Sequence, residues 1–96
     1  MEMNKLFSNS HYKVMNVVLN AGESMPLHKA TSDAFIIVTA GSAKIVFPDN
    51  EIELHEGSTT MIPAHKEHKL QVSETFNAYI IFSADGEIKF LNQSSI

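Results

Sequence analysis

Apolar and polar positions along this chain change places every few residues, and nowhere does a helical period hold over several turns. The pattern predicts short strands separated by turns. Lys13–Leu19 (KVMNVVL) is rich in β-branched residues and reads as a strand, and Asn20–Ser24 as a turn. Pro26 keeps Met25 out of the helical region, so Met25–Lys29 is a short extended piece before a turn at Thr31–Asp33. Phe35–Thr39 (FIIVT) is apolar on both faces, as expected of a strand buried on both sides. Ala40–Ser42 is expected to turn the chain and Ala43–Phe47 to return as a strand. Pro48–Asn50 has hairpin-turn chemistry, and Glu51–Leu54 alternates so that Ile52 and Leu54 face inward. His55–Gly57 turns again, Thr59–Ile62 is a strand, and Pro63, which cannot donate a ladder hydrogen bond, ends it. Lys69–Val72, Phe76–Ser83 and Ile88–Leu91 complete the set, with a turn at Ala84–Gly86. About eight short strands at near-regular spacing predict an all-β sandwich or barrel. Residues 1–11 read as a loose N-terminal arm, with Leu6 and Phe7 as its apolar anchors. Residues 12–91 read as the barrel and residues 92–96 as a C-terminal tail.

Composition narrows this to one domain with a modest core, since the chain has 96 residues. It has no cysteine, hence no disulfide framework and no thiolate chemistry, and the expected compartment is the cytoplasm. The start carries no apolar signal region, and no run approaches a membrane span, so no membrane partner is expected. Eleven acids against seven bases leave a formal charge of −4, and every base is lysine. No basic patch is visible, so no nucleic-acid partner is expected. The absence of arginine argues against dicarboxylates and phosphate esters, which favour a bidentate clamp.

Chemistry concentrates at two histidines that follow similar segments. Gly22–His28 (GESMPLH) and Gly57–His68 (GSTTMIPAHKEH) each run from a glycine through a proline to a histidine at a strand end. His65 lies within the second segment, three residues before His68. His11 and His55 fall in the arm and in a turn, where solvated surface histidines are expected, and Lys29 and Asp33 read as solvated loop charges. Met15, Met25 and Met61 read as plain core.

These segments resemble the two motifs of the cupin family, and the resemblance covers most of the chain. The first motif is GxxxxxHxH, three or four residues, E, six residues and G. The second is GxxxxxPxG, two residues, H, three residues and N. Gly22, Pro26, His28, Gly41, Gly57, Pro63 and His68 all fall in register, and Ser42–Glu56 has the length of the short hairpin in small cupins. The resemblance implies a single-domain double-stranded β-helix, or jelly-roll barrel. It also implies a divalent metal inside, held by the histidines and glutamate of the first motif and the histidine of the second.

The chain departs from that pattern at two of the four ligand positions. Ala30 stands where the second histidine belongs and Ala34 where the glutamate belongs. His65 replaces the second motif's glycine, and Val72 its asparagine. Only His28 and His68 remain of the implied ligands, with His65 as a candidate third donor. The expected cofactor is therefore none, or a weakly held divalent metal such as Zn, Ni, Fe or Mn. Favoured over metal binding is a pair of histidines bonded to each other, to water or to a backbone carbonyl at the barrel mouth. Losing two ligands to alanine removes bulk and charge together, leaving a more apolar pocket near His28, Ala30, Ala34, Ile36 and His68.

Three functions compete on this reading. One is a binding or sensing module for an unknown small molecule. The second is a metal-dependent enzyme of dioxygenase or isomerase type using His28, His68 and His65. The third is an interaction dimer without ligand. The first is favoured, because the lost ligands weaken the second and the retained histidines weaken the third. No nucleophile with an adjacent base is visible. If Ala34 faces inward, so do Ile36 and Val38, while Phe35 and Ile37 face out with neighbours such as Lys44–Phe47. That apolar outer face predicts a homodimer, or else cover by Leu6 and Phe7 of the arm.

Overall fold

The structure, a computed structural model, describes residues 1–91; the expected tail at 92–96 lies outside the described residues. Among the described residues eight strands run in order: β1 (Glu2–Ser8), β2 (Tyr12–Leu19), β3 (Ser24–Ala30), β4 (Ala34–Val46), β5 (Glu51–His55), β6 (Thr59–Ile62), β7 (His68–Ser83) and β8 (Ile88–Phe90). There is no helix among the described residues, and so none long and apolar enough to cross a membrane.

Two long strands organise everything else. β4 and β7 pair antiparallel along their whole length, from Ala34 opposite Phe82 to Val46 opposite Lys69. Their first and second halves belong to different faces of the curled sheet. On one side the order is β1–β2–β7–β4–β6, using Phe76–Phe82 of β7. On the other it is β8–β3–β7–β4–β5, using His68–Gln71. The two faces close on each other as a double-stranded β-helix, a sandwich in which strand alternation sends every second residue inward.

The turn expected at Ala40–Ser42 is instead a bend inside β4, and the strands read separately as Lys69–Val72 and Phe76–Ser83 are one strand, β7. The register between β4 and β7 shifts at Val38/Ala40, Ala40/Ser42 and Ser42/Ala43. Such bulges let a strand change sheets without breaking. Gly41 sits at the corner with φ +85°, and a Cβ there would run into the Thr75 carbonyl oxygen. Both facts demand glycine. Local composition cannot separate a corner from a turn, because both need the same residue.

Residues 1–11 are not a loose arm. Glu2–Ser8 is strand β1, paired to β2 from Glu2–Val18 to Ser8–Lys13 with a bulge at Leu6. It extends the sheet at its edge and does not fold over the outer face: Leu6 and Phe7 stay exposed.

The core fills the space between the two faces. Leu19, Ile45, Leu54 and Phe76 are among its most completely buried side chains, with Val17 and Val38 beside them. Burying each of the larger ones contributes about 1.5–3 kcal/mol. As the alternation predicts, Ala34, Ile36 and Val38 are buried and Phe35 is 41% exposed. Met61, expected in the core, is instead 50% exposed on β6, opposite Phe35. Lys44–Phe47, expected beside Phe35 on the outer face, lies beyond the bend, with Lys44–Val46 in the other half of β4 and Phe47 buried just after it.

Candidate functional site

Regular alternation along β3 would put Met25 and Leu27 inside and His28 outside. The strand avoids this with a bulge. Met25 pairs with Leu70 and His28 with His68, so one extra residue is taken up on β3 between them. Pro26, which has no N–H to contribute, sits in that gap. The bulge flips the alternation: Met25, His28 and Ala30 are all buried, while Pro26 is exposed.

His68 reaches the same place from the turn 63–67, which is tied down at two points. The Ala64 N–H donates to Asp33 Oδ1 at 2.8 Å, and the His65 N–H donates to the Ala30 carbonyl at 2.8 Å. Asp33 is thus not merely a solvated loop charge; it anchors the turn that precedes His68. His65 has φ +68°. The second motif has glycine here, and this left-handed backbone is the reason.

His28 and His68 are Cα partners across β3 and β7, with ring centroids 4.2 Å apart and planes at 61°. They are 6% and 5% exposed. The His28 Nδ1–H donates to the Pro26 carbonyl at 2.7 Å and the His68 Nδ1–H to the Lys66 carbonyl at 2.8 Å. Of the options open from sequence, the rings therefore bond to backbone carbonyls and not to each other. A carbonyl only accepts, so each Nδ1 carries the proton, and in the neutral ring each Nε2 keeps its lone pair. Burial pushes both imidazoles below the ordinary histidine range; the carbonyl bonds oppose this, and each ring stays lowered. The proximity of His68 lowers His28 further.

Both rings line a cavity of about 50 Å³ between the faces, together with Ala30, Ala34 and Ile36. Every other lining side chain among the described residues is apolar, including Met25, Phe76 and Ile88. Two residues that sequence reasoning passed over frame the pair. Phe90 lies 5.5 Å from His28, ring centroid to centroid, and Phe47 lies 5.8 Å from His68, with Lys66 Nζ over the Phe47 ring at 4.3 Å. Only the pairing of β8 with β3 puts Phe90 opposite His28, and no local signal reveals that.

The donor set does not fit the metal centre implied by the motifs. His65 is exposed on its turn, and His11 and His55 are exposed elsewhere. Among the described residues no group of three or more histidine, cysteine, aspartate or glutamate side chains is placed to hold a metal ion. Two neutral imidazoles in an apolar cavity provide no anion to offset a divalent charge.

The family model for the Cupin domain matches residues 15–83. No curated protein matches the chain. Among solved structures it is similar to a cupin-2 domain protein from Shewanella frigidimarina, at 26% identity and a TM-score of 0.74, covering 83% of this chain and 78% of that one. A cupin superfamily protein from Desulfitobacterium hafniense is 25% identical, with a TM-score of 0.79 and coverage of 88% and 77%. The polyketide cyclase RemF from Streptomyces resistomycificus shares the fold at 18% identity and a TM-score of 0.78, covering 91% of this chain and 65% of that one. The family match spans both motif segments and the strands that bring them together, and on that ground the chain belongs to the cupin family.

Proposed function

We propose that this cupin-fold chain is a binding or sensing module for a small molecule and works without the four-ligand metal centre. One observation carries the reading: among the described residues a buried pair of neutral imidazoles is the only polar feature of an otherwise apolar cavity, and alanines occupy the remaining ligand positions. Buried polar groups are costly unless satisfied, so a retained acceptor pair in an apolar cavity supports a role in recognition. The similar structures do not choose a function, because one fold hosts many functions. The proposed compartment is the cytoplasm, in keeping with the cysteine-free composition.

Elemental analysis of protein purified without a histidine tag, repeated after incubation with excess Zn, Ni, Fe and Mn, tests this reading. The expected result is no metal, or much less than one equivalent. One tightly held equivalent that is lost in His28→Ala or His68→Ala would replace it with the metalloenzyme reading.

We also propose a homodimer built on the outer face of β4. Supporting it are Phe35 and Met61, paired across β4 and β6 and about half exposed, and the adjoining Ile37, Tyr79 and Ile81. Soluble monomers rarely leave such a contiguous face open, and a two-fold dimer is the commonest way to cover it.

A further inference from the structure

The cavity is chemically one-sided. Its two polar groups are both hydrogen-bond acceptors, because each ring commits its only N–H to a main-chain carbonyl. The lining contains no lysine, hydroxyl, amide or carboxylate among the described residues, and the chain contains no arginine. An anion entering this space would meet two lone pairs and no donor. A purely apolar molecule would leave two buried acceptors without partners, which is itself unfavourable. A molecule that donates hydrogen bonds satisfies both rings and can turn its carbon skeleton to the apolar walls.

Number and size narrow the class. The two rings adjoin edge to face, with centroids 4.2 Å apart and planes at 61°, close enough for two donors on one small molecule to serve one ring each. The cavity of about 50 Å³ is several times the roughly 10–15 Å³ that one water requires and well below the ~150 Å³ of an apolar cavity that admits benzene. It holds a molecule of a few heavy atoms, or the head of a longer one.

Resting on the binding-module reading, we infer that the His28–His68 cavity recognises a small neutral vicinal diol, or the vicinal-diol head of a larger molecule, by accepting one hydrogen bond at each Nε2. The apolar walls around Ala30, Ala34 and Ile36 receive the carbon skeleton. Carboxylates and ethers of equal size are discriminated against, the first by lone-pair repulsion and desolvation, the second by lacking donors.

Three probes of equal carbon and oxygen content test this on the intact protein: propane-1,2-diol, dimethoxymethane and propionate. Long-range proton–nitrogen spectra of the wild type report the imidazole tautomers directly. The expected result is Nδ1–H in both rings, with both Nε2 signals moving on titration with the diol. Dimethoxymethane and propionate are expected to bind at least tenfold more weakly, the scale of one or two net hydrogen bonds. An Nε2–H tautomer in either ring overturns the inference, as does binding of the ether or the carboxylate as tightly as the diol; both outcomes leave the binding module standing. No response to any probe overturns the diol assignment, while the binding module still stands or falls on the elemental analysis. Ala34→Val narrows the cavity without touching either histidine and is expected to abolish the diol response while the circular dichroism is unchanged. A response that persists in this variant places the diol elsewhere and overturns the assignment.

Discussion

His28 and His68 face each other across β3 and β7 with ring centroids 4.2 Å apart, and each returns its Nδ1–H to the carbonyl two residues before it. The local loops Pro26–His28 and Lys66–His68 are therefore equivalent devices on adjacent strands. They fix the same tautomer in two rings that stand edge to face, with planes at 61°, and neither ring hydrogen-bonds the other.

Acid should loosen this arrangement. Both histidines are lowered from the ordinary value of 6.5, chiefly by burial. The unfolded chain therefore takes up protons near that value while the folded chain does not, and stability falls as pH drops below about 6.5 toward the folded values. It levels off beneath them, and above about pH 7.5 the pair contributes no slope. Urea midpoints measured between about pH 8 and pH 5 check this, with His68→Gln expected to flatten the decline. A wild-type midpoint that is unchanged or rises toward acid would contradict it.

Ala30→His with Ala34→Glu should rebuild a metal shell. Both alanines line the cavity that His28 and His68 line. The double variant supplies a third imidazole and the missing carboxylate, and Zn or Ni affinity should rise on the order of a hundredfold or more. Calorimetry decides the matter; equal affinity in wild type and variant means the four side chains do not converge.

His65→Gly should stabilise the protein. A non-glycine residue at φ +68° costs about 1–2 kcal/mol, of which glycine's greater freedom in the unfolded chain returns roughly half. A net gain of about 0.5–1 kcal/mol is expected in urea unfolding. A loss would show that the exposed imidazole makes a compensating contact.

Phe35→Lys should convert a dimer into a monomer. Phe35 is 41% exposed, and β1 does not cover it. Light scattering at high micromolar concentration is expected to give twice the chain mass for wild type and the chain mass for the variant. Wild type that stays monomeric under those conditions would refute the dimer.

The alternation of EIEL already places Ile52 and Leu54 on the inner side, and FIIVT, with Ala34 before it, already separates Ala34, Ile36 and Val38 from Phe35 and Ile37. Pleating needs no partner to determine which residues share a face. The motif register likewise singled out His28, Ala30, Ala34 and His68, the residues that line one cavity. Strand continuity was not legible in the same way. Ala40–Ser42 has the composition of a turn, yet Gly41 is a corner within β4, because the bulged ladder with β7 carries the chain across. Nor was the N-terminal strand legible: EMNKLFS lacks alternation and gains order only from the open edge of β2. Met61 reads as core by type and becomes surface because β6 takes its register from Phe35. The inward turn of His28, its carbonyl partner and the nearness of Phe90 likewise come from a bulge and a strand pairing between segments far apart in the chain. Periodicity is a property of consecutive residues and survives in the sequence; bulges, edges and cross-strand neighbours depend on where a second strand lies, and only the closed barrel supplies that strand.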